Sequence, residues 1–67
     1  MSVQMDRVAI ITEMARRHMS CNQLVELSGV SRVTITAVRN GKSCSRETAD
    51  KLAAVLGRDI IRKEANP

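Results

Sequence analysis

The sequence contains no Phe, Trp or Tyr. That absence removes the stacking platforms on which single-stranded nucleic acid and RNA-binding modules rely. Aromatic cofactor sandwiches and aromatic interface anchors go with it. There is one histidine, His18, and there are two cysteines, Cys21 and Cys44, with no C-x-x-C pair. A tetrahedral zinc site needs four ligands, so no metal and no other cofactor is expected. No apolar run approaches the ~20 residues of a membrane-spanning helix; Val8–Ile11, for example, covers four. The segment Met1–Asp6 is polar and lacks a basic leader with an apolar core. Together these features predict a cytoplasmic protein with two reduced thiols and no membrane partner. The seven acids are scattered rather than paired, and neither Ser31 nor Cys21 has a base at hand. No enzyme is expected.

What is there is short, basic and helical. Sixty-seven residues predict a single domain over 1–67. Neither an effector-sensing nor a separate oligomerisation domain fits that length, so no small-molecule effector is expected. The net charge is +4, and its position matters more than its size. Residues 16–46 carry Arg16, Arg17, Arg32, Arg39, Lys42 and Arg46 against the single acid Glu26, an excess of +5. The remaining residues carry five basic and six acidic side chains. Such a concentration is the electrostatic footprint of a protein that meets a phosphate backbone.

Helical spacing dominates, and no segment alternates well enough to predict a strand. Val3, Ile10, Ile11 and Met14 share one face of a helix expected from about residue 3 to Arg17. Ser20 and Gln23 form a capping-box pattern at the start of a second helix, with Leu24, Val25 and Leu27 as its apolar positions. Gly29 ends it in a tight turn. Ser31 then caps a helix over 32–40 whose buried face is Ile35 and Val38, and Asn40-Gly41 stops it. Ser45 caps a fourth helix carrying Ala49, Leu52, Ala53, Val55 and Leu56, stopped by Gly57. Asp59 is the expected cap of a last short turn containing Ile60 and Ile61.

Two short helices joined by a tight glycine turn, inside the most basic stretch, form a helix-turn-helix over about residues 20–40. The run S-C-N-Q-L-V-E-L-S-G-V-S-R-V-T-I-T-A-V-R-N-G-K from Ser20 to Lys42 resembles the Cro/CI-type (XRE) helix-turn-helix domains of phages and bacteria. T-A-D-K-L-A-A-V-L-G, from Thr48 to Gly57, is similar to the helix that follows in that family. The resemblance covers roughly residues 8–61. It implies an all-α fold, a compact lambda-repressor-like bundle of four to five short helices, encoded by a bacterium or phage. Three departures stand out. Val25 occupies a position where the family usually has Ala, at the closest approach of the two motif helices. Met14 and Arg39 stand where many members pair an Arg with a Glu, so the paired replacement is expected to strand no buried charge. The family's fifth helix is short or missing.

With Ile35 and Val38 inward, Arg32, Val33, Thr36 and Ala37 project outward from the helix over 32–40. These are the positions a recognition helix offers to base edges in the major groove. Arg32 suits guanine, Val33 and Ala37 suit a thymine methyl, and Thr36 can donate or accept. Ser20, Cys21 and Asn22 open the first motif helix, and Ser31 and Thr34 open the second, where helix N-termini favour phosphate. Asn40, Lys42, Ser43 and Arg46 lie beyond the second helix, placed for the other strand's backbone. Ile60 and Ile61 are the candidate dimer interface. The reading is sequence-specific binding of double-stranded DNA by a small transcriptional repressor of phage or mobile-element type. It would act as a homodimer on a palindromic operator. The alternatives are a helix-turn-helix that contacts proteins, such as an antitoxin or regulator partner, and an architectural accessory of recombination.

Overall fold

The computed structural model describes residues 2–62. Four α-helices, α1 (Arg7–Arg16), α2 (Cys21–Ser28), α3 (Arg32–Arg39) and α4 (Arg46–Leu56), pack round one apolar core. A 3-10 turn over Arg58–Ile60 follows α4. The expected all-α bundle is what the chain forms.

It is not without strands. β1 (Ser2–Val3) pairs antiparallel with β2 (Cys44–Ser45), in the register Ser2 to Ser45 and Val3 to Cys44. Met5 continues the pairing as a bridge to Ile61. The Asp6 N–H donates to the Ile60 carbonyl at 2.7 Å, and the Arg62 N–H donates to the Gln4 carbonyl at 3.0 Å. The first helix therefore starts at residue 7, not 3. Its cap is Asp6, whose carboxylate accepts the Ala9 N–H at 3.1 Å. Val3 accordingly belongs to a strand, and of the expected helical stripe only Ile10 and Met14 are buried. Ile11 stays exposed, and so does Leu27 on α2.

The other three starts are those expected. Ser20, Ser31 and Ser45 each accept the N–H three residues on, at 3.2 to 3.3 Å. At Ser20 the reciprocal bond from its own N–H to Gln23 Oε1 completes the capping box. Gly29 closes α2 with φ of 75°, a left-handed conformation that only glycine adopts at little cost. Ser28 locks the turn that follows. Its hydroxyl donates to the Leu24 carbonyl at 2.6 Å and accepts the Val30 N–H at 3.1 Å. Val30 is buried, which anchors the turn between the two motif helices to the core.

Twelve apolar side chains make the core, from Met5 to Ile60, and no polar or charged residue among those described is buried with them. Met14 lies in it at 5% exposure, an apolar occupant that needs no partner. Val25 packs half-buried against the same core. Ile60 is fully buried. That corrects its assignment to a dimer interface: the side chain is enclosed by α1 and α4 and offers no surface to a second copy. Ile61 is half-buried. The last turn is entered through Gly57 with no side-chain cap, so Asp59 falls inside it rather than at its start.

Candidate nucleic-acid interface

The inward anchors of α3 decide what it shows to solvent. Ile35 and Val38 are both 1% exposed, and at 100° per residue they define one side of the helix. Arg32, Val33 and Thr36 are exposed on the opposite side, with Val33 the most exposed large apolar residue described. An α-helix of eight residues is ~12 Å long, comparable to the width of the major groove. Ala37 is half-buried at the edge of this surface, less available than the other three.

Each motif helix also opens towards solvent with unpaired donors. In α2, Ser20 Oγ takes the Gln23 N–H and the Ser20 carbonyl takes that of Leu24, which leaves the Cys21 and Asn22 N–H groups without an intrahelical acceptor. In α3, Ser31 does the same for Thr34 and Ile35, leaving the Arg32 and Val33 N–H groups. The two helix starts can therefore offer backbone donors to an anion. The Ser31 hydroxyl has less to spare, since it also donates to Thr34 Oγ1 at 2.9 Å. Thr34 is half-buried and Cys21 likewise, whereas Asn22 is exposed.

Beyond α3, Asn40, Lys42 and Ser43 are exposed, in a turn whose geometry needs Gly41 at φ 98°. Arg46 stands apart from them in its engagement. It lies in the first turn of α4, 3.8 Å from Asp50, which also receives Arg58 at 3.6 Å. Elsewhere the basic side chains are similarly occupied. Arg16 reaches Glu13 at 3.0 Å, Arg17 pairs with the same carboxylate, and Lys51 reaches Glu47 at 3.4 Å. The hydrogen bond from Arg17 holds the Glu13 carboxyl below its ordinary range, with Arg16 adding to the effect and partial burial working against it.

Among the described residues, Arg32, Arg39, Lys42, Arg7 and Arg62 have no acidic partner within ion-pair distance. Three of these belong to α3 or the turn after it. A fourth, Arg7, comes from the first turn of α1 and reaches the same place: its Nε donates to the Arg39 carbonyl at 3.3 Å. Gln4 does likewise, donating to the Gly41 carbonyl at 3.2 Å. The first bond satisfies a carbonyl in the last turn of α3 that the helix itself leaves open, and the second one in the turn that follows. Arg39 also corrects an expectation. Its Nε is buried and has no hydrogen-bond partner, so the replacement at this position does leave a buried polar atom unsatisfied.

Sequence reasoning missed Arg7 and Arg39 as members of this surface. Arg39 carried a signal, being a cation at the end of the recognition helix. Arg7 carried none, because only the fold brings it across 32 residues. The two thiols are free, and burial pushes that of Cys44 up. No described helix is long and apolar enough to cross a membrane. Compared with known proteins, residues 10–60 match the family model of the Cro/C1-type HTH DNA-binding domain. No curated protein and no solved structure matches.

Proposed function

The chain belongs to the Cro/C1-type HTH DNA-binding domain family, and we propose that it is a sequence-specific transcriptional repressor of phage or mobile-element type. The observation that supports this is the distribution of charge. Ion pairs occupy the cations of α1's end and of α4, while those on and beside α3 are left for an external anion. Arg32, Val33 and Thr36 read base edges in the major groove, with Ala37 at the margin of the contact. Arg32 takes guanine O6 and N7. The starts of α2 and α3, through the N–H groups of Cys21, Asn22, Arg32 and Val33, hold phosphates on one side, with Ser20 and Ser31 setting those groups as helix caps and Thr34 beside them. Asn40, Lys42 and Ser43 hold them on the other. Arg46 contributes to phosphate contact by exchanging Asp50 for the backbone.

One module of this size gives little specificity, so the protein acts in the cytoplasm as a homodimer on a palindromic operator. Half-sites then lie about one helical turn, ~34 Å, apart. Selection from random duplexes tests the whole reading. The expected result is an enriched palindrome with that spacing, bound by two chains. Binding without any enriched sequence would point instead to an architectural role in recombination. No binding to duplex DNA at all would leave a protein as the partner, as for an antitoxin.

A further inference from the structure

Between the first turn of α1 and the last turn of α3 lies an open cleft of about 300 Å³, lined by Arg7, Ile11, Thr36, Arg39 and Asn40. Two guanidinium-bearing side chains border it and no acid does. Arg7 is held there by its Nε, bonded to the Arg39 carbonyl at 3.3 Å. Its two terminal nitrogens have no partner among the described residues. Arg39 is half-buried, with a buried Nε that finds no acceptor.

We propose that Arg7 and Arg39 form a two-arginine clamp for a single phosphate of the DNA backbone, beside the C-terminal end of the recognition helix. This rests on the DNA-binding reading and extends it to residues of α1 that lie outside the motif. The physical case is one of unmet demand. Two like charges sharing a cleft repel, and a buried N–H without an acceptor costs free energy. An anion between the two guanidinium groups relieves the repulsion, through charge-assisted bonds to their terminal nitrogens that guanidinium groups make well to phosphate. The identity of the anion follows from the cleft's other walls. Thr36 belongs to the outward surface of α3 and Asn40 follows it directly, so the cleft opens onto the surface that meets the duplex. A backbone phosphate flanking the groove is the anion such an opening receives. Gly41 lies beside the Arg7 stem with φ of 98°, a conformation that disfavours any other residue there.

The test compares the wild-type chain with Arg7→Gln, Arg39→Gln and the double variant on a random-sequence duplex over a range of salt. One phosphate fewer lowers the slope of log K against log salt by about 0.9 in the double variant. On the selected operator, which fixes the register, ethylation of the phosphate at the clamp should weaken the wild-type protein and affect the double variant much less. Arg39→Lys, which keeps the charge, should keep the slope. Arg7 is exposed, so Arg7→Gln alone reports the loss should Arg39→Gln fail to fold. An unchanged slope in folded variants overturns the proposal. A melting midpoint raised by inorganic phosphate at matched ionic strength, in the wild type but not the double variant, with DNA binding unaltered, assigns the cleft to free phosphate and also overturns it. Failure of the wild-type chain to bind any duplex is a different result: it removes the DNA-binding reading and the clamp with it.

Discussion

The Gln23 N–H donates to Ser20 Oγ at 3.2 Å, and the Ser20 N–H donates back to Gln23 Oε1 at 2.9 Å. Each residue thus satisfies a backbone or side-chain group of the other at the start of α2. The same box leaves the Cys21 and Asn22 N–H groups facing outward. One pair of residues therefore both starts a helix and prepares an anion-binding end.

Removing the hydroxyl separates these roles. Ser20→Ala should destabilise the fold by about 1 kcal/mol, measured by urea unfolding. DNA affinity of the folded fraction should change little, because the outward N–H groups remain. A loss of affinity well beyond the loss of folded protein would show that the hydroxyl itself touches phosphate.

Arg32 and Lys42 should behave differently on DNA. Arg32→Ala should cost ~1–3 kcal/mol on the selected operator and relax preference at one base pair. Lys42→Ala should weaken operator and random duplex about equally and lower the salt slope by about one unit. Titrations on both DNAs at several salt concentrations decide it. Equal losses on both DNAs for Arg32→Ala would make that residue one more phosphate contact.

His18 is the one described non-glycine residue with positive φ, at 50°. It closes α1 in a Schellman arrangement, its N–H donating to the Ala15 carbonyl and that of Met19 to the Met14 carbonyl. A left-handed residue with a Cβ costs roughly 1–2 kcal/mol, and glycine's greater freedom in the unfolded chain offsets part of the relief. His18→Gly should therefore stabilise by about 0.5–1 kcal/mol. A lower thermal midpoint would show that the imidazole makes a contribution larger than the strain.

Glu13 sets an acid limb in stability. Its carboxyl titrates below the ordinary value because Arg17 hydrogen-bonds it and Arg16 adds to the attraction. A depressed folded value means that the two contacts stabilise fully above the unfolded carboxyl value. That contribution is lost as pH falls through the folded one. Glu13→Gln should flatten the pH profile below the unfolded carboxyl value. Unfolding midpoints that fall equally steeply in both proteins would assign the acid limb to other groups.

Much of the fold was legible because its signals are local. Ser20, Ser31 and Ser45 cap through bonds three residues long, and Gly29 and Gly57 stop helices by their own conformation. The inward side of α3 was legible for the same reason, since Ile35 and Val38 are spaced for one face of the helix they occupy. From that, the exposure of Arg32, Val33 and Thr36 followed. Ala37 was harder, because it lies at the boundary, where the neighbouring elements decide how much is covered.

Ile60 and Ile61 show where local reasoning stops. Adjacent apolar residues after a helix give no sign of which one is enclosed. Backbone pairing with Met5 and Asp6, more than fifty residues away, turns Ile60 inward. Pairing with Cys44–Ser45 likewise turns Val3 from expected helix to strand, because two extended segments satisfy each other's N–H and C=O groups. Sequence by itself determined the starts of α2, α3 and α4, the glycine stops, the buried side of the recognition helix and the excess of charge around it. Tertiary structure alone placed Arg7 against Arg39, since that contact spans 32 residues and depends on how α1 packs across α3. Hydrogen bonds within one turn are encoded in neighbouring side chains. Bonds across the molecule exist only once the core has fixed the helices against one another.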